Sequence, residues 1–237
     1  MSKPQIVTEP RKLGKKATKA KKTTIGGDPP KQRDPIRTSA AVLAAATLEF
    51  RDKGFAGARI DAIAARAGVN KRMLYHYFGD KEGLYLAVLE SAYVGIRSAE
   101  GKLRLTEQHP EHAMRELALF TWKYFIDHPE FLSLLQTENL MKARFLTRSA
   151  RIFDLHSPLI AQIAKLLESG AELGCFRRDA DPVNIYISIA ALGFFYLTNR
   201  FTLATIFQRN LMTADALEAW GEHMADMVIA SLRPCAP

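Results

Sequence analysis

The chain has 237 residues, 48% of them apolar and 24% charged, which is the composition expected of a soluble globular protein rather than of a disordered or membrane chain. At roughly 150 residues per domain there is room for one small module and one larger core, and a disulfide-stapled miniprotein is excluded. The formal net charge is +8, and residues 1–36 carry ten Lys or Arg against Glu9, Asp28 and Asp34, so seven of the eight net positive charges lie there.

A basic arm on a near-neutral body points to a polyanionic partner, nucleic acid or an anionic membrane. No apolar stretch of signal-peptide length follows the basic residues, so secretion is not expected. The longest apolar run, 185–197, is shorter than the roughly 18 residues that a bilayer demands, so it reads as a buried helix and no membrane partner is expected. Cys175 and Cys235 form no CxxC pair and have no His at ligand spacing. They fit a reducing cytoplasm, and neither a metal nor a cofactor is implied.

In chain order, residues 1–35 are rich in Lys and Thr and broken by five prolines, so a disordered basic arm is expected. The apolar set Ile36, Ala40, Leu43, Thr47 and Phe50 then recurs at steps of four and three, predicting a first helix that stops near Gly54. A second short helix carries Ile60, Ile63, Ala64 and Ala67, a third carries Leu74 and Phe78, and a longer fourth starts with Asp80 as N-cap. Helices are predicted over 110–127 and from Pro129 to about Lys142. The stretch 143–156 mixes apolar residues with Arg144, Arg148 and Arg151 and is ambiguous. A helix from Ser157 to about Leu173 ends at Gly174; a long one runs from Pro182 to about Gln208, and the last runs from 213 or 214 to Pro234. The fold class is therefore all-α, with nine helices, no sheet and no solenoid repeat.

The segment 60–78 carries the functional signal. Ala64 and Ala67 are small where a second helix crosses closely, Gly68 accepts the left-handed conformation of a sharp turn, Val69 fills the wedge, and Asn70 caps the next helix. This is helix-turn-helix spacing. On the third helix Leu74 and Phe78 face inward, leaving Lys71, Arg72, Tyr75 and His76 outward, with Tyr77 at the edge. Such a basic, aromatic face suits a major groove: Lys and Arg donate to guanine edges, and Tyr and His bond phosphates or pack on thymine methyls.

With Phe50 and Gly54-Phe55 before it and Lys81-Glu82 after it, this segment resembles the tetracycline-repressor family of bacterial transcriptional regulators from about Arg37 to Leu89. The resemblance implies a three-helix DNA-binding head over 36–82 and a helical effector-binding and dimerisation domain over 83–237. It further implies a double-stranded DNA operator and a small-molecule effector as partners, and base or phosphate contacts from Lys71, Arg72, Tyr75, His76, Tyr77 and Lys81. Two features depart from the family pattern: Ala58 and Arg59 stand where helix two usually opens with Thr or Ser, and Gly83 stands where a capping Glu is common. Arg59 is expected to replace the hydroxyl contact with a charged one.

In the body, polar groups among aromatic residues are the candidates for a ligand pocket. Trp122, Phe125, Gln136, Asn139, Arg144, Arg148, Phe195 and Asn199 make up the expected site, with Glu138 and His156 as further polar candidates. The portion 128–232 looks like regulators of aromatic or heteroaromatic acid catabolism, and an anionic aromatic effector suits Arg144 or Arg148. A homodimer is expected through the last two helices, with Ile185, Ile189, Leu192, Tyr196 and Leu203 on one and Leu217, Trp220, Met224, Met227, Val228 and Leu232 on the other. A helical enzyme is the competing class, but the sequence holds no GxxxxGK[ST], HExxH, GxSxG or GxGxxG. A third reading, an architectural DNA-binding protein without effector, requires a completely filled core.

Overall fold

The structure, a computed structural model, describes residues 35–234; the expected arm up to residue 34 and Cys235 lie outside the described residues. Ten α-helices follow one another, with no strand among the described residues. Pro35 opens α1 (Pro35–Gly57), where a missing N–H costs nothing. Then come α2 (Ile60–Ala67), α3 (Lys71–Phe78) and α4 (Lys81–Glu100), followed by a 3-10 turn (Leu105–Glu107). The larger part comprises α5 (Pro110–Asp127), α6 (Pro129–Leu140), a second 3-10 turn (Leu146–Arg148), α7 (Arg151–Glu172), α8 (Pro182–Thr198), α9 (Arg200–Phe207) and α10 (Ala214–Leu232).

Two apolar clusters organise these helices. The first gathers Val42, Phe50, Ile63, Leu74, Leu84, Tyr85 and Leu89 from α1 to α4. It also takes in Leu134 of α6 and Phe145 of the loop after α6, with Phe145 ringed by Phe55 at 4.7 Å and Tyr85 at 4.9 Å between centroids. The second is built around α5, whose Met114, Leu117, Trp122 and Phe125 pack with α7, α8 and α10.

Three features depart from the periodicity. The buried face of α1 is Val42, Ala45, Ala46, Glu49 and Phe50, whereas Ile36 is 81% exposed. An Ala-rich helix is apolar on several sides, so its pattern does not fix the phase. The ambiguous stretch becomes a turn with Lys142 and Ala143 at positive φ (56° and 57°), and α7 starts at Arg151 with Pro158 inside it. The run expected as one helix from Pro182 is two, bent by 68° between α8 and α9. At that bend the Thr198 hydroxyl donates to the Phe194 carbonyl (2.6 Å), the Asn199 amide to Phe195 O (2.9 Å), and the Arg200 guanidinium to Leu197 O (2.6 Å). Side chains bonding back to carbonyls of the preceding turn bend helices, and hydropathy is blind to this. No single described helix is long and apolar enough to cross a membrane.

Candidate nucleic-acid interface and ligand cavity

Local chemistry sets the turn between α2 and α3. Gly68 sits at φ 66°, ψ 31°, its N–H bonded to the Ala65 carbonyl at 3.2 Å, and the Val69 N–H reaches Ala64 O at 3.1 Å. The Asn70 carboxamide oxygen accepts from the Met73 N–H at 2.9 Å and caps α3. Leu74 is buried, fixing the inward face, and Lys71, Arg72, Tyr75 and His76 are exposed, with Tyr77 half-buried beside His76 (5.4 Å between rings).

Around this helix the other nominated residues have specific settings. Lys71 pairs with the exposed Asp61 of α2 at 2.9 Å, and that carboxylate raises its pKa. Arg59 is the exposed residue ahead of α2; its backbone N–H donates to the buried Glu49 carboxylate (3.3 Å) and its side chain makes no cap. Lys81, in the first turn of α4, donates to Ala56 O at 3.3 Å and lies over the Phe55 ring at 5.0 Å, and its partial burial lowers its pKa. Asp80 accepts from the Gly83 N–H at 2.7 Å, so α4 is capped firmly without a glutamate. A Cβ at Gly83 would lie 2.1 Å from the Phe78 carbonyl oxygen, so close packing of the α3–α4 turn leaves no room for a side chain there.

In the larger part, a cavity of ≈ 510 Å³ opens between α4, α5, α6 and α8. Its walls are mostly rings and aliphatic groups: Tyr93 and Ile96 of α4, Phe125 of α5, Phe131 of α6, and Tyr186 and Phe194 of α8. Two charges are set into this wall. Arg97 and Glu100, three residues apart on α4, pair at 2.9 Å (Nη1–Oε2) with side chains only 8% and 4% exposed. Burial pushes the Glu100 carboxyl up to about 7, and the Arg97 guanidinium pulls the other way. Arg97 also lies over the Tyr186 ring at 5.6 Å. His156 of α7 stands behind, with Nε2 3.3 Å from the Tyr186 hydroxyl, and burial followed by Arg97 lowers its pKa.

The nominated ligand residues divide around this cavity. Phe125 and Asn139 line it. Trp122 does not: its indole N–H donates to Leu217 O (2.9 Å) and its ring meets Tyr196, tying α5 to α10 and α8. Gln136 is exposed, and Asn199 is spent on the α8–α9 bend. Arg144 and Arg148 lie on the surface and both pair with Glu82 in the first turn of α4, at 2.5 and 2.6 Å. Phe195 points outward at 60% exposure. Glu138 accepts from the Phe145 and Leu146 N–H groups (3.2 and 3.0 Å) and holds the turn after α6. The charged pair inside the cavity went unnoticed in the sequence. Its signal was the spacing Tyr93, Ile96, Arg97, Glu100, one helical face on which two charges accompany apolar neighbours.

The residues nominated for a dimer face are largely interior. Ile185, Ile189, Tyr196, Met224, Val228 and Leu232 are buried within the subunit, because α8 and α10 both pack on α5. Of that expected face Met227 of α10 stays exposed, beside an exposed apolar set of Val183, Ile187 and Phe195 on α8 and Phe201, Ile206 and Phe207 on α9. Among the described residues no group of three or more His, Cys, Asp or Glu is arranged to hold a metal ion.

Comparison with known proteins agrees in both parts. Residues 42–88 match the model of bacterial regulatory proteins of the tetR family, and residues 110–228 match the tetracyclin repressor-like C-terminal domain. The chain is 38% identical over 197 residues to the HTH-type transcriptional repressor NicS of Pseudomonas putida, covering 83% of this chain and 93% of that protein. It is 39% identical over 100 residues to the HTH-type transcriptional repressor SCO4008 of Streptomyces coelicolor, covering 38% of this chain and 52% of that one. In fold it is similar to the ketosteroid transcriptional regulator KstR2 of Mycobacterium tuberculosis, with a TM-score of 0.60 over 83% of this chain and 95% of that chain at 18% identity.

Proposed function

The chain belongs to the tetracycline-repressor family of DNA-binding transcriptional regulators, and from that premise we propose that it is a homodimeric repressor released from a palindromic operator by a small molecule. The observation that carries this reading is the continuity of α4. Its first half supplies Leu84, Tyr85, Val88 and Leu89 to the core of the head, and its second half supplies Tyr93, Ile96, Arg97 and Glu100 to the cavity wall. A ligand that favours one position of α4 therefore favours one position of α3, and by linkage it weakens operator binding if that position fits DNA less well. A cavity of ≈ 510 Å³ beside this lever also counts against an architectural protein with a filled core.

In this reading Lys71, Arg72, Tyr75 and His76 contact bases and phosphates, and Arg59, Tyr77 and Lys81 anchor the backbone. The effector is an aromatic or heteroaromatic acid. Arg144 and Arg148, already held by Glu82, are replaced as its counter-charge by Arg97. The exposed apolar face of α8 and α9 joins α10 in a two-fold interface. The protein acts on cytoplasmic DNA, and the basic arm adds salt-sensitive phosphate contacts.

The test is selection of bound duplexes from a random-sequence pool with the purified full chain. The expected result is a palindrome with half-sites about 34–36 Å apart or a multiple of that spacing, from which an effector displaces the protein. Absence of any enriched site, even at low salt, would overturn the reading.

A further inference from the structure

We infer that the cavity binds its effector as an aromatic acid, seating the anionic group on the Arg97 guanidinium while Glu100 takes up a proton from solvent. This rests on the reading of the cavity as the effector site and gives that site its ligand chemistry and a pH dependence.

The geometry presents a buried ion pair as part of a cavity wall. Arg97 Nε and Nη1 and Glu100 Oε2 are buried and have no hydrogen-bond partner among the described residues beyond the 2.9 Å ion contact itself. Buried polar atoms without partners are costly, and a ligand that satisfies them gains that cost back. Either charge could receive a ligand, but the two are not equivalent. A guanidinium keeps its proton under all ordinary conditions, whereas a carboxyl can be neutralised. A cationic ligand on Glu100 would leave Arg97 as a second buried cation without a counter-ion. An anionic ligand on Arg97 displaces Glu100, which escapes the same penalty by protonation. With its carboxyl pushed up to about 7 by burial, Glu100 is already close to half neutral at pH 7.

Other titratable groups surround the pair on the helices packed against it. Burial raises the pKa of Tyr93 on α4, Tyr124 on α5 and Tyr186 on α8, so all three remain neutral phenols. On α7, burial and then the Arg97 charge lower the pKa of His156, disfavouring its imidazolium form. On α6, Glu130 is engaged by His128 at 3.0 Å, and Glu138 accepts two backbone N–H groups at Oε2 while its buried Oε1 has no hydrogen-bond partner. Glu100 is the carboxyl of this wall that burial pushes up to about 7. The rest of the wall, with Phe125, Phe131, Phe194 and the two tyrosines, favours a flat apolar body, and ≈ 510 Å³ accommodates one or two rings.

Calorimetric titration tests this with benzoate and the three pyridinecarboxylates, each against its amide, at pH 6, 7 and 8 in two buffers of different ionisation enthalpy. The expected result is that one or more acids bind at least tenfold tighter than the matching amide. Proton uptake should be about one per ligand at pH 8 and fall toward zero at pH 6, with Kd rising up to roughly tenfold per pH unit above 7. Glu100→Gln should bind the same acid with neither uptake nor pH slope, and Arg97→Gln should lose it. The proposal is overturned if no acid binds, if amides bind as tightly, if binding proceeds without uptake, or if uptake persists in Glu100→Gln. The proton count is read on the unaltered chain, so a variant that fails to fold does not spoil the test. Failure here with an operator still selected would remove only the ligand chemistry; proton-coupled acid binding without any operator would remove the regulator reading.

Discussion

At the scale of single residues, Glu100 couples the cavity to folding as well as to ligand. Its folded carboxyl titrates near 7 against an ordinary 4.5, so between those values the native state holds a proton that the unfolded chain has lost. Its stabilising contribution is complete below pH 4.5 and is lost as pH rises through 7, on the order of 3 kcal/mol in all. Denaturant unfolding at pH 5 and pH 8 should therefore show a drop in stability that Glu100→Gln flattens; equal slopes in the two proteins would contradict it. On α3 the prediction concerns specificity. Tyr75→Ala should relax the selected sequence at one base-pair position, by about 1–3 kcal/mol of discrimination, whereas Lys71 first has to leave Asp61, an exposed partner that surrenders it readily. An unchanged selected site would take Tyr75 out of readout.

At the scale of elements, the head depends on two backbone devices between its short helices. Helices of eight residues are not stable alone, so α2 and α3 rely on the Gly68 turn and the Asn70 cap to meet at the required angle. A Cβ at Gly68 meets nothing within 4 Å; the obstacle to another residue there is its positive φ, not space. Gly68→Val should cost roughly 1–2 kcal/mol of stability and Gly68→Asn clearly less, measured as thermal unfolding of the full chain. Equal losses in the two variants would point to a steric cause instead. The break between α8 and α9 works differently, since it comes from side chains: Thr198, Asn199 and Arg200 all bond carbonyls one turn back. It brings the chain round so that the Tyr196 hydroxyl donates to Leu211 O at 2.9 Å.

At the scale of the whole molecule, the exposed rings of α8 and α9 form the apolar surface that bears on assembly. Phe195 at 60% and Phe201 at 71% exposure belong to an apolar patch of the kind that a monomer rarely leaves open. Phe195→Glu should shift the protein to monomers in analytical ultracentrifugation and weaken operator binding at least tenfold, because each half-site would then be bound singly. Dimers that persist in this variant would move the interface to another face. The head is also less separate than a boundary near residue 82 suggests. Leu134 and Phe145 belong to its core, and Arg144 and Arg148 pair with Glu82, so the loop after α6 is tied to the first turn of α4.

The helix-turn-helix was legible in the chain because its requirements are local. A left-handed glycine, an N-cap, small residues at a crossing and a basic outward face all fall within 19 consecutive residues, and each has a physical reason that needs no distant partner. The all-helical class and most helix starts were legible for the same reason, through Pro110, Pro129, Asp181 and Thr213. What depends on distant parts of the chain was not. The phase of an Ala-rich α1, the bend after Thr198 and the burial of Ile189 or Met224 inside one subunit are decided by which helix lies alongside, and apolar periodicity reports burial without naming the neighbour. The cavity is the clearest case. Arg144 and Arg148 stand among aromatic residues in sequence but on the surface in space, while Arg97 and Glu100, two charges three residues apart on α4, are turned inward among the helices that line the cavity.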